Sequence, residues 1–261
     1  MNLKPSSALQ VFDLPLSATI PVPPGYTTDE LIRVEDDAWF VGLSMSAEFT
    51  GRFRCMMRDS SGRHYMNEPI ENEILFGTSY LPFVFSFPLV LEPDAELYFD
   101  LYDQTGAPNT VRINLHGYKH KDKVAPPKWG LVGPDGSAAT GSRDQWFMVA
   151  STKTLVPGDT KILPLKIEAG ADYEINSYRA FASILTGGAF EAQLRTAAGT
   201  WLHRSPVTKN TGFGNAQYPY KAAPPLRQKA AQTMQMTVHN LAGGIVNNTV
   251  QVALDGVKRY R

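Results

Sequence analysis

The stretch Phe53-Arg-Cys-Met-Met-Arg-Asp-Ser-Ser-Gly62 lies over Phe190-Glu-Ala-Gln-Leu-Arg-Thr-Ala-Ala-Gly199 at a shift of 137 positions, and this correspondence decides the fold. The same shift pairs Pro69 with Pro206, Phe76-Gly77 with Phe213-Gly214, Pro82-Phe83 with Pro219-Tyr220, and Pro88-Leu89 with Pro225-Leu226. After two extra residues, Asn109-Thr-Val-Arg-Ile-Asn-Leu-His-Gly117 lies over Asn248-Thr-Val-Gln-Val-Ala-Leu-Asp-Gly256, and Lys119 falls on Lys258. One register held over so long a stretch means that one folding unit is used twice.

Hydrophobic phase is kept along with identity. Leu97, Phe99 and Leu101 alternate with Tyr98, Asp100 and Tyr102, as Met234, Met236 and Val238 alternate with Gln235, Thr237 and His239. Near the end of each copy, Val111, Ile113 and Leu115 match Val250, Val252 and Leu254. A period of two predicts strands with these residues buried. The intervening Arg112, Asn114 and His116, and their counterparts Gln251, Ala253 and Asp255, are expected toward solvent. A one-residue slip would expose the whole apolar set, so the shared phase fixes the register. Further strands are expected over Ala38–Ser46, Arg52–Arg58 and Arg63–Asn67, with a tight turn at Asp59–Gly62. Asp103–Pro108 and Asn240–Ile245 carry the Gly and Asn chemistry of hairpin loops joining the last two strands of each copy.

No segment holds a helical period over 11 or more residues, and proline and glycine are spread along the chain. The fold class expected is all-β, with two tandem duplicated β-sandwich (jelly-roll-like) domains joined by a Pro/Gly-rich linker. The division is 1–119 for the first repeat, 120–145 for the linker and 146–261 for the second repeat. Trp129 is the one large apolar group in the linker. It either packs on an adjacent domain or carries the arm to a neighbouring subunit.

Composition narrows the function. The chain of 261 residues has 43% hydrophobic and 19% charged residues, without an apolar run near the length of a membrane span. Its start lacks the charged-then-apolar pattern of a signal peptide. Cys55 is the sole cysteine, so an intrachain disulfide and a Cys-based zinc cluster are both excluded, and folding in a reducing cytoplasm is the expectation. Zero net charge argues against a general nucleic-acid partner.

A search for chemistry returns little. His64, His116, His120, His203 and His239 have no zinc-like spacing, and the other copy replaces His64, His116, His203 and His239 with Trp201, Asp255, Met66 and Tyr102. Nucleophile elbow, P-loop and dinucleotide fingerprint are all missing, and Gly187-Gly188 and Gly243-Gly244 read as turns. Glu35-Asp36-Asp37 and Glu68, Glu71 and Glu73 raise a Ca²⁺ site or a glycosidase pair, but the second copy has no matching acids around Val207–Asn210. They read as solvated acidic loops. Tyr80, Phe83, Phe85, Phe87, Tyr218 and Tyr220 read as core rather than as a sugar-stacking platform. The expectation is no enzyme, no cofactor and no metal site.

The neutral total conceals a dipole. Residues 1–119 hold 16 acids and 8 bases, a net of −8, and residues 120–261 hold 9 acids and 17 bases, a net of +8. Such a chain suits packing of the acidic copy of one subunit on the basic copy of the next. The expected assembly contacts are Trp129, Lys121, Lys123, Lys128, Arg259 and Arg261.

The ending Leu97-x-Phe-x-Leu-x-Asp103, then Asn109-x-Val-x-Ile-x-Leu-x-Gly117-Tyr-Lys, with Pro82–Phe85 upstream, resembles β-sandwich structural proteins of tailed-bacteriophage virions: minor capsid, decoration and head–tail junction components. The resemblance covers the C-terminal half of each repeat. It implies a non-enzymatic part of a particle, self-associating with other virion proteins as a homo-oligomer and assembled in the host cytoplasm. The alternative is a carbohydrate- or receptor-binding module of a phage tail or cell surface, which requires exposed coplanar aromatics at loop ends. An enzyme requires two converging carboxylates.

Overall fold

The computed structural model describes residues 9–16, 27–34, 38–120, 144–184, 190–241 and 247–260. The first repeat contributes β1 (Leu9–Leu16), β2 (Thr27–Arg33), β3 (Trp39–Phe49), β4 (Phe53–Asp59), β5 (Ile70–Glu71), the single turn α1 (Asn72–Leu75), β6 (Phe83–Leu91), β7 (Glu96–Asp103) and β8 (Val111–His120). The second contributes β9 (Gln145–Leu155), β10 (Thr160–Lys166), β11 (Ala171–Ala182), β12 (Phe190–Arg195), β13 (Val207–Thr208), α2 (Lys209–Gly212), β14 (Tyr220–Gln228), β15 (Thr233–Asn240) and β16 (Asn248–Tyr260). The chain is all-β, as its alternation predicts.

By contact, the chain divides into two units. One comprises residues 1–65 and 76–146, the other residues 66–75 and 147–261. In the first unit one antiparallel sheet runs β1-β8-β3-β6, and in the other β7 lies between β2 and β4. In the second unit the sheets run β10-β15-β12-β13 and β14-β11-β16-β9. Strand for strand the first sheets correspond, with β9, β16, β11 and β14 in the places of β1, β8, β3 and β6. Apart from the two-residue β5 and β13, successive strands of each repeat alternate between two sheets, which is the jelly-roll way of closing a sandwich.

Leu97, Phe99, Leu101, Val111, Ile113 and Leu115 form one core and Met234, Met236, Val238, Val250, Val252 and Leu254 the other, all at most 1% exposed. The apolar phase therefore faces inward in both copies. Three expectations need correction. β7 and β8 lie in different sheets, as do β15 and β16, so Asp103–Pro108 bridges two sheets instead of closing a hairpin. Hairpin and crossover loops demand the same turn residues, so composition does not separate them. Arg63–Asn67 is no strand and makes only isolated bridges, Arg58 with His64 and Met66 with Met148. Finally, Gln251, Ala253 and Asp255 are each 0% exposed, so β16 is buried on both faces.

Several identities of the repeat now have causes. The Asp59–Gly62 turn closes with Gly62 N–H donating to the Asp59 carbonyl at 2.9 Å, and Gly199 donates to Thr196 at the same distance. Both glycines sit at positive φ, 81° and 88°. Asn109 Oδ1 accepts from the Thr50 and Gly51 N–H groups, and Asn248 Oδ1 from the Ser183 hydroxyl and the Ile184 N–H, so each pins the corner leaving its central strand. β3 bulges between Gly42 and Ser44, and β11 between Ile175 and Ser177. The bulges face Gly117 and Gly256, where an added Cβ would stand 2.1 Å from the Val41 and Glu174 carbonyl oxygens. Only glycine fits there.

Candidate assembly surfaces

The segment Met66–Leu75 comes from the first repeat but is grouped by contact with the second. Proline at position 69 and the short β5 and α1 make it an arm, and its apolar residues give it a buried side. Ile70, Ile74 and Leu75 are each 0% exposed, contributing about 1.5–3 kcal/mol apiece relative to exposure. Polar groups fix its register on the outer face of the β9–β16–β11 sheet. Asn67 Nδ2 donates to the Ala150 carbonyl at 2.8 Å and its Oδ1 accepts from the Ala150 N–H at 2.6 Å. The Glu71 N–H donates to Gln251 Oε1 at 2.7 Å, while Gln251 Nε2 donates to the Pro69 carbonyl and the Thr152 hydroxyl, both at 2.8 Å. Glu68 accepts from the Thr152 hydroxyl and, at 3.3 Å, from Gln251 Nε2.

Beneath α1 lies a buried ion pair. Arg179 Nη2 sits 3.3 Å from Asp255 Oδ2, with side-chain exposures of 0% and 1%. Arg179 Nη1 also donates to the Ile74 carbonyl at 3.3 Å, and the Ser177 hydroxyl donates to Asp255 at 2.9 Å. Burial pulls the guanidinium below its ordinary pKa, and the adjacent Asp255 carboxylate opposes that pull. The chemistry available is recognition: an acidic, apolar arm held on a face of fixed donors and acceptors.

This overturns one expectation. Of the three acids expected in a solvated loop, Glu71 is 0% exposed and Glu68 half-buried, and only Glu73 is exposed. They do not converge with other ligands either: among the described residues no three His, Cys, Asp or Glu side chains are placed to hold a metal ion. Glu35, Asp36 and Asp37 lie outside the described residues, as do the two Gly-Gly pairs. His116 meets the Ser46 hydroxyl at 2.8 Å and His239 the Thr160 hydroxyl at 2.9 Å. Cys55 is fully buried, which pushes its thiol pKa well up. A shallow groove of 340 Å³ beside the Thr196–Gly199 turn is lined by Arg195, Thr233 and Gln235 among others, with no carboxylate. None of the described helices is long and apolar enough to cross a membrane.

The aromatic residues expected in the core divide: Phe83 and Phe85 are buried, Phe87 is half-buried, and the three tyrosines are not core. Phe83 and Phe85 are 0% and 6% exposed and stack edge-on against Trp146, a packing that fills the first core. Tyr80, Tyr218 and Tyr220 are exposed. Tyr220 meets Tyr178 at 6.1 Å with a tilt of 52°, which is not a coplanar platform. Of the expected assembly contacts, Trp129, Lys121, Lys123, Lys128 and Arg261 lie outside the described residues. Arg259 is described: its Nη2 pairs with Glu174 Oε1 at 3.1 Å inside its own unit. What sequence reasoning missed is the arm and its seat. The available signal was the spacing of Ile70, Ile74 and Leu75 within an acidic segment.

The strand order of each unit, 1-8-3-6 with 7 between 2 and 4, can be compared with known proteins. Over 97% of this chain and 98% of that one, the structure superposes on the major capsid protein P2 from Bacteriophage PM2, with a TM-score of 0.51 and 11% sequence identity. The chain shares the fold of that protein. The STIV MCP is also similar, with a TM-score of 0.48 and 8% identity over 95% of this chain and 96% of that chain. PNGF-II superposes with a TM-score of 0.37 and 9% identity, over 94% and 65%. No protein-family model and no curated protein matches the sequence.

Proposed function

We propose that this chain is a non-enzymatic structural subunit of a viral particle, whose copies associate with one another to build the shell. The observation that carries it is the end-to-end likeness to a major capsid protein, which takes in both repeats and leaves almost no residue of either chain unmatched. Among the positions that the sequence resemblance implies, this favours the shell itself over a decoration or head–tail junction role. The opposed charges of residues 1–119 and 120–261, −8 and +8, supply an attraction between unlike halves of successive subunits. A neutral total and a lone buried thiol support the rest: no nucleic-acid partner, and assembly in a reducing host cytoplasm.

Sedimentation and electron microscopy of the purified chain test this. A defined oligomer is expected at low salt, weakening as salt is raised, because charges exposed at the surface are screened beyond about 10 Å at 0.1 M. A monomer at both low and high salt and at high protein concentration would overturn it. The carbohydrate-binding alternative predicts glycan binding by that monomer.

A further inference from the structure

The first repeat's arm has a seat, and the duplication supplies a second arm and a second seat. The shift of 137 places His203–Gly212 over Met66–Leu75, with β13 over β5 and α2 over α1. The pairing of central strands does the same for the seat. Ser177 and Arg179 lie opposite Asp255 and Ala253, while Ser44 and Ser46 lie opposite His116 and Asn114. So Ser46 stands in the place of Arg179, and Arg112 in the place of Gln251.

Apart from Ser46, at 5% exposure, these second members are less buried than the first. Ile70, Glu71, Asn72, Ile74 and Leu75 are at most 1% exposed, but Val207, Thr208 and Lys209 are half-buried, and Asn210 and Thr211 are exposed. On the seat, Gln251 and Arg179 are each 0% exposed, whereas the Arg112 and Glu48 side chains are 55% and 79% exposed. Charge is exchanged as well. The first arm carries Glu68, Glu71 and Glu73; the second carries Arg204 and Lys209 with no acid, while Glu48 appears on the first repeat's face, bridged to Arg112 at 3.3 Å.

We propose that the second arm, His203–Gly212, seats on the outer β8–β3 face of the first repeat of a second copy of this chain. This rests on the shell-building function above and names the surface by which it works. An arm-to-seat contact between unlike surfaces is heterologous, so repetition generates a ring when the rotation closes. The first arm gives the geometry. The Ala216 N–H donates to the Glu73 carbonyl at 3.0 Å, and the duplication turns that pair into Ser79 of one copy beside Asn210 of the next. Ser79 and Asn210 are both exposed.

Disulfide trapping tests the contact with the full-length chain. Chains carrying Ser79→Cys and Asn210→Cys are co-expressed, oxidised mildly and digested, and linked peptides are counted by mass spectrometry. Cys55, at 0% exposure, does not compete. Backbone neighbours at this distance suit disulfide geometry, so the 79–210 linkage is expected about tenfold above a control pairing Asn210→Cys with Lys161→Cys on β10. Oligomers that form with the 79–210 linkage no commoner than the control overturn this contact and leave the shell function standing. A chain that stays monomeric throughout, with no linkage, overturns both.

Discussion

Arg179 and Asp255 form an ion pair of 3.3 Å in which neither side chain is more than 1% exposed. A pair so placed contributes little net stability compared with apolar residues of similar volume, yet removing one member leaves a buried charge without its counter-ion. Arg179→Met alone is expected to lower stability by about 3–5 kcal/mol. Arg179→Met with Asp255→Leu should recover most of that loss. Urea denaturation of both variants checks this, and equal losses in the two would show that the charge pair is not the source.

The arm gives a contrast within one molecule. Ile74 is completely buried on the second unit and its counterpart Thr211 is exposed. Ile74→Ala should cost about 2–5 kcal/mol through the lost burial and the cavity left behind. Thr211→Ala in the monomeric protein should change stability by less than about 0.5 kcal/mol. Thermal or urea unfolding of the two variants, measured side by side, separates them.

Gly117 and Gly256 face the two bulges at a distance that no side chain tolerates. Alanine at either position drives a methyl group into a strand carbonyl, an overpacking expected to cost about 1–3 kcal/mol. The glycines of open turns, such as Gly62 with nothing within 4 Å of an added Cβ, fail for a different reason, their positive φ. Gly62→Asn should therefore be tolerated better than Gly62→Val, while Gly117→Asn should be no better than Gly117→Val. Comparing the four midpoints of unfolding distinguishes crowding from backbone strain.

Asp59 anchors the first repeat's turn. Partial burial raises its pKa, but donation from the Ser61 hydroxyl, the Arg63 N–H and the Arg63 guanidinium outweighs this and leaves the carboxyl below its ordinary range. A carboxyl whose folded pKa lies below its unfolded one stabilises the protein above the unfolded value, about 3.9, and this contribution is lost as pH falls through the folded value. Stability of the parent should thus drop more steeply than that of Asp59→Asn below about pH 4. Parallel slopes would show that Asp59 titrates alike in the folded and unfolded states.

Much of this was legible in the sequence because period two and identity reinforce each other. Val111, Ile113 and Leu115 declare a buried face, and their match to Val250, Val252 and Leu254 says that it occurs twice. Alternation tells which side of a strand is wet, but not which sheet the strand joins, so the crossing at Asp103–Pro108 looked like a hairpin. Gln251 and Asp255 read as exposed because polar side chains usually are. Their burial depends on an arm that arrives from 180 residues away in the chain, the separation of Glu71 and Gln251. Local composition carries no trace of such a partner. Ile70, Ile74 and Leu75 did carry one, in being apolar where Val207, Thr211 and Gly212 have become smaller or polar.

The arm also sets an order of events during synthesis. Met66–Leu75 leaves the ribosome well before β16, which covers it and lies 180 residues further along. At about 5–20 residues per second, Ile74 and Leu75 wait roughly 10 to 40 s for their cover. During that interval Ile70, Ile74 and Leu75 lack the β9–β16–β11 face that buries them in the folded chain. Synthesis of β16 then hides that segment, so a product truncated before β16 would keep it exposed.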